Sequence, residues 1–140
     1  KALQLGAWHV INGRKEDTVD RSRALFGGDG ADIVFETAGS RVTAMQSFAS
    51  VRRGGEVMIV GTIPGETPVD FLKINREVKV QTVFRYANNF PMTIQAISSG
   101  RFDVLTMVTD EYTYEDVQKA FEESLSRKAE IIKGVIKIGD

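Results

Sequence analysis

Few side chains in this sequence stand where their chemistry could be used. There is one histidine, His9, and no cysteine. Disulfides, thiolate nucleophiles and cysteine zinc sites are therefore excluded. One imidazole without a nearby carboxylate pair does not complete an ordinary zinc site, so His9 reads as a packed or hydrogen-bonded residue. Ser47, Ser50 and Ser124 have no base beside them to activate a hydroxyl. Glu36 lies within an apolar run, so it must be hydrogen-bonded or near solvent, and a general-base role stays open to it. Glu115, Asp116, Glu122 and Glu123 read as a solvated helix face. Three stretches that follow apolar runs remain: Thr37-Ala38-Gly39, Val60-Gly61-Thr62-Ile63 and Phe84-Arg85-Tyr86. Small residues let a ligand approach the backbone, and a guanidinium offers several rigid donors to hydroxyl or phosphate oxygens. The alternative is that Gly39 and Gly61 only make tight turns and Arg85 is a solvated charge. Spacing alone leaves both readings open.

The elements that must position these stretches alternate along the chain. Lys1 to Ala7 reads as the last turn of a helix stopped at Gly6, as expected of a fragment. His9 to Asn12 is a short strand candidate. Asp17 to Phe26 is helical, with Val19 and Phe26 inward, and ends at Gly27-Gly28. Asp32 to Thr37 is a strand. Ser40 or Thr43 caps the next helix, whose Val42, Met45, Phe48 and Ala49 fall at helical spacing. Arg52 and Arg53 sit in its last turn, and Gly54-Gly55 stop it. Glu56 to Gly61 is a buried strand, and Thr62 to Pro68 is a loop. Asp70 to Arg76 makes one or two helical turns, Val78 to Phe84 is a strand, and a helix runs from Asn89-x-Pro91 to Gly100. Leu105 to Tyr112 is extended, Thr113-x-x-Asp116 opens a helix to Ser126 as a capping box, and Ile131 to Ile138 is a strand broken by Gly134. This order predicts βαβ units and a parallel sheet, in which ligands sit beyond the carboxyl ends of the strands. Gly27-Gly28-Asp29-Gly30 precedes a strand, the wrong end for a phosphate cradle, and reads as a turn. Neither G-x-G-x-x-G nor G-x-x-x-x-G-K-[ST] is present.

Composition narrows the classes further. At 140 residues the chain suits one domain with a real core. Lysine and arginine number 18 against 19 acids, so no basic excess argues for nucleic acid. No apolar run reaches membrane-span length and no signal-peptide pattern is present. The lack of cysteine fits a reducing compartment, and the cytoplasm is the expected location.

Gly30-Ala31-Asp32-Ile33-Val34-Phe35-Glu36-Thr37-Ala38-Gly39, Arg53-Gly54-Gly55-Glu56-Val57-Met58-Ile59-Val60-Gly61 and Val83-Phe84-Arg85-Tyr86-Ala87-Asn88-Asn89-Phe90-Pro91 together resemble the medium-chain dehydrogenase/reductase superfamily. Within it they are most similar to the sorbitol (polyol) dehydrogenase branch of the zinc alcohol dehydrogenases. Leu5 to Asn12 resembles that family's turn into its third nucleotide-domain strand. The resemblance implies an α/β fold: a partial Rossmann-like parallel sheet with flanking helices, lacking the first two strands, plus a C-terminal helix and strand. Residues 1–104 would belong to the nucleotide-binding domain, and 105–140 would return to the catalytic domain. It implies reversible hydride transfer between a polyol or secondary alcohol and NAD or NADP. The backbone of Val60, Gly61, Thr62 and Ile63, with Phe84, would border the nicotinamide half. Ala38 and Gly39 would lie near the adenosine half, and Arg85 and Tyr86 would lie near substrate. The family's zinc ligands and its glycine-rich phosphate turn have no counterpart here, so the isolated chain is expected to be inactive, with weak or no cofactor binding. A zinc-free quinone or enoyl reductase is the other enzyme reading, and a non-catalytic self-associating module is the reading from another class. The family dimerises through the edge strand matching Val78 to Phe84, which implies a homo-oligomer. In the strand order 3-2-1-4-5-6 the chain would hold strands 3, 4, 5 and 6. The missing pair leaves a gap of roughly 14 Å. His9 to Asn12 is therefore expected to move beside the next strand, pair with another chain, or be poorly ordered.

Overall fold

The structure, a computed structural model, describes residues 1–74 and 76–139. Two compact units divide the chain, Lys1–Tyr86 and Ala87–Asp140.

The first unit is built on β1 (Ala31–Glu36), β2 (Val51–Ile59) and β3 (Lys79–Thr82), a three-stranded parallel sheet in that order. Helix α1 (Thr18–Leu25) precedes β1, α2 (Arg41–Ser50) joins β1 to β2, and α3 (Phe71–Ile74) precedes β3. The register pairs Val34 with Val57 and Val57 with Val80, and Val57 is fully buried at the centre. Helix α2 packs on β1 and β2 through Ala44 and Ser47, both buried. Only small residues let the helix sit close over the sheet, and the Ser47 hydroxyl is satisfied by the Thr43 carbonyl at 2.8 Å. This corrects the expected inward face: Val42 and Met45 point to solvent. Phe26, expected inward on α1, is exposed as well. The opposite sheet face carries Ile33 and Phe35, which are 51% and 62% exposed.

Several boundaries follow their capping chemistry. Gly6 ends a 3-10 turn, Leu3–Leu5, in the left-handed region at φ 96°. Asp17 caps α1 by accepting from the Asp20 N–H, and Ser40 caps α2 by accepting from the Thr43 N–H. Two expectations fail. Residues 9–12 join no ladder among the described residues; they run into a turn in which the Asn12 side chain accepts from the Arg14 N–H at 3.0 Å. His9, Val10 and Asn12 are exposed, and the segment does not pair beside β1, whose partner in the sheet is β2. Arg52 and Arg53 lie in β2, not in a helix end, because α2 stops at Ser50. A β-irregularity follows, with Gly54 at φ 67° and its N–H bound to the Arg76 carbonyl at 2.8 Å. The one or two helical turns expected within 70–76 are met by the single turn α3, and the part falling on Asn75 lies outside the described residues.

The second unit holds α4 (Phe90–Ser98), with Pro91 in its first turn, then a 3-10 turn (Leu105–Met107). Next come β4 (Asp110–Thr113), α5 (Val117–Ser126) and β5 (Gly134–Lys137). Strands β4 and β5 pair in parallel around α5, burying Tyr112 and Ala120. The helix cap is Asp116 rather than Thr113, which corrects the capping-box expectation. The acidic face of α5 is not wholly solvated. Glu123 accepts from the Tyr112 hydroxyl at 2.9 Å and from Arg127 at 3.0 Å, and Arg127 also reaches Asp110 and Glu130. Burial pushes the Tyr112 phenol up, and the neighbouring Glu123 adds to the shift. The Tyr112 bond, with Arg127 beside it, holds the Glu123 carboxyl below its usual range against the effect of burial.

Candidate functional site

The carboxyl ends of β1 and β2 are joined by one residue. Glu36, the last residue of β1, is 2% exposed. Its backbone carbonyl accepts from the N–H groups of Val60 and Gly61 at 2.8 and 2.9 Å. Its Oε1 accepts from Ala38 N–H at 3.0 Å, Gly39 N–H at 2.9 Å and Thr43 Oγ1 at 2.7 Å. One side chain thus fixes the turn after β1, the first turn of α2 and, through its own backbone, the exit of β2. Burial pushes the carboxyl up, but the hydrogen bonds from Thr43 and from the Gly39, Ala38 and Ser40 backbone outweigh it and hold the group below its usual range. That answers the open general-base reading: a carboxylate held ionised and saturated on Oε1 is a scaffold. Its Oε2 is buried and has no hydrogen-bond partner among the described residues.

The two turns lock together through glycine. Gly39 sits at φ 69°, and a Cβ there would come 2.8 Å from the Thr62 carbonyl oxygen. A Cβ on Gly61 would land on the Gly39 nitrogen and on Glu36 Oε2. Neither position admits a side chain, so both glycines do more than make tight turns.

The expected residues are therefore placed as follows. Gly39 and Gly61 meet at the joint and are half-buried; Ala38, Val60 and Thr62 are exposed beside it, and Ile63 is half-buried. The next strand along continues the edge, since the Val83 N–H donates to the Ile59 carbonyl at 2.8 Å. Beyond it Phe84 is 86% exposed. Arg85 adopts φ 55°, and its guanidinium carbon lies 5.2 Å from the Phe84 ring centre. Tyr86 is exposed at the end of the unit. The Ala38 and Gly61 turns are thus brought into contact, and the Phe84 stretch lies on the adjoining strand. His9 is not packed in a core: it is exposed, with its ring tilted at 55° against Trp8 at 4.4 Å between ring centres. The residues that sequence reasoning underrated are Glu36 and Thr43. Their signal was an acid closing an apolar run, followed by Ser40 and Thr43 at capping spacing.

The family profile described as "Zinc-binding dehydrogenase" matches residues 1–99. The chain is 65% identical over 139 residues to an uncharacterised zinc-type alcohol dehydrogenase-like protein of Escherichia coli (strain K12), covering 99% of this chain and 40% of that protein. It is 37% identical over 139 residues to the sorbitol dehydrogenase of Bacillus subtilis (strain 168), covering 96% of this chain and 39% of that protein. A crystal structure of an oxidoreductase/dehydrogenase of unknown specificity from Escherichia coli superposes with a TM-score of 0.93 at 65% identity, over 99% of this chain and 40% of that one. The 2R,3R-butanediol dehydrogenase of Bacillus subtilis shares the fold at a TM-score of 0.85 and 24% identity, again over 99% of this chain and 40% of that one. The chain spans about two-fifths of the length of the relatives it matches, in their C-terminal Rossmann-like part. From the profile match over residues 1–99, this chain belongs to the zinc-binding dehydrogenase family.

Proposed function

We propose that this chain supplies the nicotinamide-side wall of an NAD(P)-dependent zinc alcohol or polyol dehydrogenase. The observation that carries the reading is the Glu36 joint, which holds the backbone of Val60, Gly61, Thr62 and Ile63 beside the Ala38–Gly39 turn, with no side chain on Gly39 or Gly61 to stand off a ligand. A flat cofactor ring needs such a backbone approach, so the residues fit a nicotinamide cofactor. The cofactor, when bound, accepts or returns the hydride. The chain's part is to orient and to exclude water: Val60 to Ile63 and Phe84 border the nicotinamide half, and Ala38 and Gly39 lie toward the adenosine half. Arg85 and Tyr86 face substrate, the guanidinium donating to hydroxyl or phosphate oxygens. The 37% identity to a sorbitol dehydrogenase favours a polyol over the substrates of a zinc-free quinone or enoyl reductase.

Zinc does not fit the residues of this chain. There is no cysteine, and no group of three or more His, Cys, Asp or Glu is placed to hold a metal among the described residues. The ligands in this reading come from outside these 140 residues, and no step is derived through the metal. The division into a nucleotide-binding portion (1–104) and a segment returning to the catalytic domain (105–140) belongs to the same proposal. So do a cytoplasmic location and the absence of nucleic-acid and membrane partners. No helix among the described residues is long and apolar enough to cross a membrane.

Saturation-transfer NMR with NADH tests the reading. The nicotinamide protons should receive more saturation from the protein than the adenine protons; the reverse order counts against it. Self-association is the second reading, favoured by β3, an edge strand whose four residues are all exposed.

A further inference from the structure

At the amino ends of the strands, opposite the edge just described, four arginines converge on one cleft. Arg23, Gly28, Asp29, Arg52, Arg53 and Arg76 line an open space of about 530 Å³, within the size range of small-molecule sites. The backbone is shaped to bring them there. The Gly28 N–H donates to the Arg23 carbonyl at 2.7 Å, which folds the glycine-rich turn back on the last turn of α1. Gly30, at φ 112°, has no room for a Cβ: it would strike the Ser50 carbonyl and lie 2.9 Å from the Val51 carbonyl carbon. The turn therefore lies directly on the start of β2, beside Arg52 and Arg53. The Gly54 N–H then holds the Arg76 carbonyl at 2.8 Å.

The charges in this cleft are not balanced. Arg52 is paired with Asp32. Among the described residues Arg23, Arg53 and Arg76 join no ion pair, and the buried Arg23 Nε has no hydrogen-bond partner. Among the described residues, Asp29 is the one carboxylate lining the cleft beside four arginines, and Asp32 pairs with Arg52, in a chain whose net charge is −1. A buried donor without an acceptor and a cluster of like charges both cost stability unless an anion completes them.

We infer that this cleft binds a small polyanion of the diphosphate class. Guanidinium forks match phosphate oxygens in pairs, and one carboxylate would leave positive charge uncompensated. Among the described residues the lining contains no aromatic or aliphatic side chain to hold a base or a hydrocarbon, so the recognised part is the anion itself. The site does not depend on the dehydrogenase reading, since it uses none of the residues at the carboxyl edge. The test is NMR of the arginine Nε–H groups during titration with inorganic pyrophosphate, with ADP in a parallel arm and sodium chloride added to matched ionic strength. The Arg23 and Arg53 signals should shift saturably by roughly 10 mM while Arg101 does not, and Arg53→Gln should weaken binding about fivefold with an otherwise unchanged spectrum. If ADP binds no more tightly than pyrophosphate, the ligand is the free anion; if it binds more tightly, the ligand is a nucleotide's diphosphate. Either result supports the site. The inference is overturned if sodium chloride alone reproduces the shifts, if the signals stay still, or if Arg53→Gln binds as the unsubstituted protein does.

Discussion

Replacing Glu36 with glutamine exchanges one carboxylate oxygen for an NH₂ group and should cost a measurable part of the first unit's stability. Oε1 accepts three hydrogen bonds, from Ala38, Gly39 and Thr43. An amide oxygen still accepts them, but each loses the strengthening that a charge gives, about half its worth. The new amide N–H₂ falls where Oε2 now lies, buried and without an acceptor, which adds about 1–3 kcal/mol. Relief of the buried charge offsets part of this, so Glu36→Gln should destabilise by about 1–3 kcal/mol near neutral pH. The pH dependence has a definite sign. The folded carboxyl titrates below its usual value of 4.5. The unfolded chain therefore takes up the proton first, and the stabilisation is complete above that value and lost as pH falls through the folded one. Urea unfolding followed by circular dichroism should show the unsubstituted protein weakening below about pH 4.5 more steeply than Glu36→Gln, so that the two curves converge in acid. Parallel curves, or equal stability at neutral pH, would refute the placing of an ionised carboxylate at this joint.

Gly61→Ala drives a methyl into the Gly39 nitrogen and Glu36 Oε2, so it should cost about 2–3 kcal/mol and shift the Ala38 and Gly39 amide signals. Gly39→Ala adds strain at φ 69° to a 2.8 Å approach to Thr62, and thermal unfolding should show a loss of about 1–3 kcal/mol. A near-ultraviolet absorbance titration should place the Tyr112 phenol above 10.0, and Glu123→Gln should bring it down. Given NAD and sorbitol, the purified chain should form no NADH above an enzyme-free blank; sustained formation would contradict its proposed inactivity. Light scattering over a range of concentrations should find a dimer, and a strict monomer would count against association through β3.

What could be read from the residues was what local chemistry decides. Asp17, Ser40 and Gly6 announce caps and stops because their side chains, or the lack of one, act within a turn. The parallel order of β1, β2 and β3 followed from apolar runs separated by helices. What could not be read depended on neighbours distant in sequence. Arg52-Arg53-Gly54-Gly55 looks like a helix end, but Gly54 is held in β2 by the Arg76 carbonyl. The inward face of α2 carries Ala44, Ser47 and Ser50 because Glu36 and the sheet lie close beneath, and apolar spacing gave no sign of it. His9 to Asn12 has the composition of a strand but finds no ladder. At the site, the glycines and Glu36 stood out by type, while their mutual contact is a property of the assembled sheet.

The most direct test of the central claim is a titration of the ¹⁵N-labelled protein with NADH, read amide by amide. The account predicts weak shifts at Ala38, Gly39, Val60, Gly61, Thr62, Ile63, Phe84 and Arg85, apart from any that the NADH diphosphate causes at the Arg23 and Arg53 cleft. Titration to roughly 10 mM NADH that leaves all eight residues unmoved would contradict it.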